Sequence, residues 1–217
     1  MKIYIISMPS HFHRRNSIID QLKKFSINNY QFIDGVDVET TNVPIDLEAF
    51  KLNRGRIPVP QELGCYAAHG NALKEIIASN QHGFVLEDDA ILYDDFLDLY
   101  SNLPPNFDFD IIFPYHASSF IGQPEKMFVP IEKQHVFTNI DYNSWITVAY
   151  VVSFNFAKKL YENLYPMTDV ADAWNHKYTD KFFATGNSYV QHGYFESSMA
   201  NRDSNSPYFG THIFGRG

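Results

Sequence analysis

Three consecutive acids, Glu87-Asp88-Asp89, follow the compact apolar run Phe84-Val85-Leu86. The run reads as a buried strand, and side chains alternate along a strand, so Glu87 and Asp89 are expected on one face and Asp88 on the other. Two carboxylates that converge at a strand end offer hard oxygen ligands to Mg2+ or Mn2+. Those ions also take diphosphate oxygens, and open α/β sheets hold ligands at the carboxyl ends of their strands. A short acidic run is equally the ordinary composition of a solvated loop. The surrounding elements decide between the two.

Those elements alternate. Ile3 to Ile6 reads as a buried strand opening a sheet, and Ser7-Met8-Pro9-Ser10 as a turn. From Arg14 to Phe25, Ile18, Ile19, Leu22 and Phe25 recur at helical spacing opposite Arg15, Asp20, Lys23 and Lys24. Tyr30-Gln31-Phe32-Ile33 before Asp34-Gly35 completes a β-α-β unit, which implies a parallel pair with Asp34 at a carboxyl end. A short helix is expected around Leu47 to Leu52. A longer one begins at Pro60-Gln61-Glu62, with proline at its first position and an acid in its first turn, and runs to Asn80. Beyond the acids follow a helix over Asp94 to Tyr100, strands over Asp110 to Phe113 and Val148 to Val152, and a helix over Asn155 to Leu164. The expected fold is α/β, a mixed, mainly parallel sheet flanked by helices. One domain spans residues 1–217, with halves over about 1–115 and about 116–217.

Composition removes several classes of function. Seventeen Lys and Arg against 25 Asp and Glu leave a charge of −8, which disfavours a phosphate backbone as partner, so no nucleic acid is expected. The uncharged stretch Tyr142 to Ala157 is interrupted by Asn143, Ser144, Thr147 and Asn155, whereas a membrane span needs about 20 mostly apolar residues. The amino terminus carries no apolar signal core, so a cytoplasmic chain is expected. Cys65 is the one cysteine, which excludes an internal disulfide and a cysteine-rich structural zinc site.

Several segments, in order, resemble the bacterial glycosyltransferases of family 25, the lipopolysaccharide and lipooligosaccharide sugar transferases. They are Ile5-Ile6-Ser7 with Arg14-Arg15, Phe32-Ile33-Asp34-Gly35, Gln61-Glu62-Leu63-Gly64-Cys65-Tyr66-Ala67-Ala68-His69 and Val85-Leu86-Glu87-Asp88-Asp89-Ala90. Further on come Thr147-Val148-Ala149-Tyr150-Val151-Val152-Ser153 with Ala157-Lys158, and Asp172-Ala173. The resemblance implies a GT-A fold of Rossmann type, a UDP-sugar donor and inversion at the anomeric carbon. Galactose is the most frequent donor sugar, with glucose and N-acetylglucosamine open. It also implies an oligosaccharide or glycolipid acceptor and Mn2+ or Mg2+ as cofactor. Work on a lipid-linked acceptor would sit at the cytoplasmic face of the inner membrane, with peripheral contact at most.

In that picture the acids act as a DxD-like motif. Asp89 coordinates the metal, while Glu87 or Asp88 contacts the ribose or a metal-bound water. Arg14 or Arg15 pairs with phosphate oxygens, and Ser7 and Asp34 hydrogen-bond uracil or ribose. His69 sits near the donor as a hydrogen-bonding or packing residue, Glu62 faces the donor sugar, and His192 is a further metal ligand. Inverting transfer needs one base for the acceptor hydroxyl. Asp172 is the choice over Asp169, with Tyr150 and Trp174 as acceptor contacts. The competing readings are a metal-dependent phosphohydrolase built on the same acids and a nucleotide- or carbohydrate-binding module without turnover.

Overall fold

The computed structural model describes residues 1–39, 41–103, 107–116, 128–130, 136–139, 147–173, 178, 181–185 and 187–193. Trp174, expected as an acceptor contact, lies outside them.

The amino-terminal unit is the expected β-α-β. Strand β1 (Lys2–Ser7) is followed by α1 (Phe12–Lys24) and β2 (Tyr30–Asp34), and β1 pairs parallel with β2, Ser7 opposite Asp34. Helix α1 buries Ile18 and Leu22, and Lys23 and Lys24 in its last turn suit the negative end of the helix dipole. Helix α2 (Leu47–Arg54) is capped by the Asp46 carboxylate, which accepts the Ala49 N–H at 3.0 Å. Helix α3 (Pro60–Ser79) has proline in its first turn and lays Tyr66, His69, Leu73 and Ile76 against the sheet side of the core. Strand β3 (Gly83–Glu87) then pairs parallel with the other edge of β1, Ile6 opposite Glu87.

After the acids come β4 (Ala90–Leu92), α4 (Phe96–Ser101) and β5 (Ile111–His116), then β6 (Phe128–Pro130), β7 (Val136–Asn139) and β8 (Ala149–Val152). Helix α5 (Phe154–Glu162), β9 (Phe182–Thr185) and β10 (Val190–His192) close the described chain. The main sheet has eight strands in the order β2-β1-β3-β8-β5-β9-β7-β6. Strand β8 is antiparallel to both β3 and β5, and β7 to both β9 and β6, while the remaining pairings are parallel. Six of the eight strands therefore run the same way, the mixed, mainly parallel sheet expected. Because β8 is inserted between β3 and β5, segments from before and after residue 116 interleave in one sheet.

The order β2-β1-β3 makes β1 a switch point: the chain leaves it toward one neighbour and later returns to the other, which opens a crevice at the carboxyl ends. Ser7, Asp34 and Glu87 end the three strands there. Antiparallel β8 brings its amino end to the same edge, with Glu87 N–H donating to Val148 C=O at 2.8 Å. A separate ladder of β4 and β10 sets His192 opposite Ala90, one residue from Asp89. Phe84, Val85 and Leu86 are fully buried and fix β3 beneath the crevice, each worth about 1.5–3 kcal/mol. Among the described residues no helix is long and apolar enough to cross a membrane.

Candidate active site

The three acids do not form one patch. Strand β3 ends at Glu87, Asp88 and Asp89 turn, and each carboxylate takes different partners. The strict alternation expected from strand geometry stops with the strand.

Asp88 is buried and turned toward α1. Its Oδ2 accepts Ser7 Oγ–H at 2.7 Å and His11 Nδ1–H at 3.1 Å, and its Oδ1 accepts Arg14 Nη1–H at 3.2 Å. With three donors already on it, Asp88 organises the strand end instead of facing ribose. Ser7 is buried as well: its hydroxyl gives its proton to Asp88 and accepts Arg15 Nε–H at 3.1 Å, which leaves it no proton for uracil. Arg15 continues to Ser7 C=O at 2.8 Å and to the exposed carboxylate of Asp34 at 2.6 Å, and stacks over Phe32. The two adjacent arginines thus divide: Arg14 serves Asp88 and Asp89, and Arg15 spans the ends of β1 and β2.

Glu87 lies between α3 and β8. Its Oε1 accepts Thr147 Oγ1–H at 2.6 Å and faces His69 Nε2 at 3.3 Å. Burial works to raise its pKa, but the His69 hydrogen bond, the Thr147 hydroxyl and nearby His192 together hold it below the ordinary glutamate value. His69 is 0% exposed and Tyr150 1%, the two rings stacked and joined by a 2.9 Å hydrogen bond at Nδ1. Burial, with Glu87 and Cys65 adding to it, pushes the Tyr150 hydroxyl well above its usual pKa, so it keeps its proton and donates to Nδ1. The network then assigns the imidazole proton to Nε2, directed at Glu87. One expectation is corrected here: Tyr150 is sealed beneath the site and cannot stack on a saccharide. His69 is a hydrogen-bonding and packing residue, joined to Tyr150 and to Glu87.

Asp89 has the opposite character. Burial first, then Glu87 and Asp88, push its pKa up to about 6 against the lowering effect of His192 and Arg14. Its Oδ1 is buried with no hydrogen-bond partner among the described residues, and its Oδ2 lies 3.6 Å from Arg14 Nη1 and 3.3 Å from His192 Nε2. His192 Nδ1 sits 2.8 Å from the Gly193 carbonyl, a pure acceptor, so Nδ1 carries a proton. The facing atoms are then an imidazole nitrogen and a carboxylate oxygen, which need a proton or a metal ion between them. An orphaned carboxylate oxygen, a raised pKa and an imidazole at ligand-to-ligand distance fit a divalent cation. The donor set Asp89 and His192 suits Mn2+ better than Mg2+, because magnesium favours oxygen alone.

Asp172 stands across from Glu87. The same Thr147 oxygen that serves Glu87 lies 2.9 Å from Asp172 Oδ1. Neighbouring Asp169 is buried against the guanidinium of Arg54 and accepts the Val170 N–H at 2.9 Å, so it anchors α2 to the loop after α5. Glu62 is likewise engaged: both oxygens take the Arg56 fork, at 2.7 and 2.6 Å, and one accepts the Val59 N–H at 3.1 Å. It closes the first turn of α3, and the expectation that it faces the donor sugar gives way to that role.

The family model for glycosyltransferase family 25, lipopolysaccharide biosynthesis proteins, matches residues 1–180. The chain belongs to glycosyltransferase family 25. The matched region holds every element of the crevice except the β10 strand that carries His192. No curated protein sequence matches the chain. Among solved structures, A197 from STIV is similar at 15% identity and TM-score 0.47, covering 91% of this chain and 87% of that one. A glycosyltransferase involved in the glycosylation of the major capsid of PBCV-1 is similar at 9% identity and TM-score 0.44, covering 91% and 95%. Family 25 chemistry takes a sugar donor and a saccharide acceptor, and two residues of this member's site were missing from the sequence-based set. His11 sits just before α1 and holds Asp88, and Thr147 just before β8 joins Glu87 to Asp172. Their only signal is position at a strand or helix end, which many polar residues share.

Proposed function

We propose that this family 25 member is an inverting transferase that moves a hexose, galactose first among candidates, from a UDP-sugar to a saccharide acceptor of a bacterial surface glycolipid. The observation that carries the reading is Asp89: a carboxylate with an orphaned buried oxygen and a raised pKa, facing His192 across the carboxyl end of β3. A divalent cation held by Asp89 and His192 would supply charge stabilisation to a departing diphosphate. Arg14, already 3.6 Å from Asp89, is in reach to pair with phosphate oxygens, and Asp34 with Arg15 offers an exposed polar ledge at the neighbouring strand ends. Glu87, kept ionised by His69 and Thr147, is suited to accept a hydroxyl hydrogen bond from ribose or from the sugar. Asp172 takes the acceptor proton as the acceptor oxygen attacks the anomeric carbon opposite the leaving diphosphate. Thr147 keeps that base in register with the donor side.

Calorimetric titration of UDP and UDP-galactose, with and without Mn2+, on the native chain and on Asp89→Ala tests the reading. Binding that requires Mn2+ and disappears in the variant is the expected result. No uridine binding under any condition would overturn it and return the acids to a structural or hydrolytic role. Cleavage of the diphosphate without an acceptor and without preference for uridine would favour the phosphohydrolase alternative, and metal-dependent binding without turnover the binding module.

A further inference from the structure

A second metal-ligating set lies behind the acidic turn. Cys65 and His69 are four apart on α3 and so share a face of the helix, and Glu87 reaches them from β3. One ligand atom from each, a thiol sulfur, an imidazole nitrogen and a carboxylate oxygen, all lie within 4.8 Å of one another. We propose that Cys65, His69 and Glu87 bind a thiophilic divalent cation of the Zn2+ class, at a site distinct from Asp89 and His192.

Three observations support it. Two nitrogen or oxygen ligands at about 2.0–2.1 Å from a tetrahedral ion are about 3.3–3.4 Å apart, and His69 Nε2 lies 3.3 Å from Glu87 Oε1, long for a hydrogen bond to a carboxylate. The remaining closure falls to the cysteine side chain, which a single rotatable bond can move. The Nδ1 edge of His69 faces the Tyr150 hydroxyl at 2.9 Å, and because a hydroxyl accepts as well as donates, it can serve as the outer-shell acceptor of Nδ1–H when Nε2 bonds the metal. Access is provided from one side, because Cys65 and Glu87 are partly exposed while His69 is fully buried.

Proton balance is simple. Binding expels the Cys65 thiol proton to solvent, and the ion takes the place of the His69 Nε2 proton: the ring passes to its other tautomer, with its one proton on Nδ1, and the Tyr150 hydroxyl changes from donor to acceptor there. The sulfur ligand sets the selectivity. Thiolate with imidazole favours Zn2+ and Co2+ over Mn2+ and Mg2+, the reverse of an oxygen-rich diphosphate site. The proposal does not depend on the donor reading, since it concerns binding of the metal alone.

Co2+ titration of the metal-free full chain, kept reduced, tests it. Because the chain has one cysteine, any thiolate-to-cobalt charge-transfer band reports Cys65. The expected result is such a band with the visible bands of a four-coordinate ion, saturating at one equivalent and bleached by Zn2+ but not by excess Mn2+. The band should vanish in Cys65→Ser, persist in Asp89→Asn, and require at least about tenfold more Co2+ in Glu87→Gln. Absence of the band in the native chain would overturn the proposal. So would an unchanged affinity in Glu87→Gln, which would mean an adduct of the thiol alone. X-ray absorption of the zinc-loaded native chain needs no variant: one sulfur with nitrogen and oxygen neighbours supports the site, and no sulfur neighbour rejects it.

Discussion

Glu87 and Asp89 are two residues apart, yet their environments drive their proton affinities in opposite directions, a pattern associated with divided chemical roles. The Asp89 pKa lies near 6 in the fold against an ordinary 3.8, so the folded state binds that proton more tightly than the unfolded chain. Its contribution to stability is complete below about pH 4 and is lost as pH rises through 6, by roughly 3 kcal/mol at most. In chelator-treated protein, Asp89→Asn should therefore melt at a higher temperature than native at pH 8 and at a similar one at pH 4. Equal melting at pH 8 would contradict the raised pKa. Thr147 presents a second residue-scale test. Its hydroxyl has one proton for two carboxylates, and Glu87 at 2.6 Å holds the shorter bond than Asp172 at 2.9 Å. On the proposed reaction, Thr147→Val should lower kcat roughly tenfold with KM for the donor little changed, and Thr147→Ser should restore it. Equal turnover in the valine variant would remove Thr147 from the mechanism.

At the scale of elements, α3 carries the most consequence, because it supports Glu87 from behind through His69. Its glycine at position 64 is a contact requirement: a Cβ there would stand 2.5 Å from the backbone oxygen of Val36, which cannot yield as a side chain does. Gly64→Ala should cost about 1–3 kcal/mol by chemical denaturation. A neutral result would mean that the loop after β2 is free to move away. At the same helix's start, Glu62→Gln should lower the melting temperature, by about 2 kcal/mol in free energy, and leave UDP affinity unchanged. A weakened UDP affinity would instead restore Glu62 to the donor site. The long periodic elements were legible in sequence: Pro60 and the apolar spacing behind it gave α3 to within a residue, and Ile18 with Leu22 gave α1. The three-residue strands β4 and β10 were not, since so short a segment has no period to read. The site followed the same division. Asp89 and His192 were named from type and family pattern, but what joins them is the β4–β10 ladder. Tyr150 was misjudged because an aromatic residue on a central strand looks the same in sequence whether its ring is sealed or open. Thr147 became visible only once β8 was known to run antiparallel to β3.

The molecule as a whole is acidic, with a charge of −8, and its crevice gathers the ends of β1, β3, β8 and the β4–β10 ladder, segments far apart in sequence. A diphosphate approaching Glu87, Asp88 and Asp89 meets like charge, with Arg14 as a partial counterweight already committed to Asp88. On the proposed function, nucleotide binding must then depend on a cation that inverts the local sign, and neither component alone should bind well. A ligand that spans those segments stabilises the whole chain, because unfolding any one of them forfeits the binding energy. At about 100 times its Kd a ligand adds about 2.7 kcal/mol, and for a chain of this size that corresponds to a rise in Tm of about 5–10 °C. UDP with Mn2+ should produce such a rise in scanning calorimetry, UDP alone or Mn2+ alone only a small fraction of it, and Asp89→Asn none with the pair. A full shift from UDP without metal would show that arginine and backbone donors suffice to hold the diphosphate. A full shift retained in Asp89→Asn would show that the cation sits elsewhere.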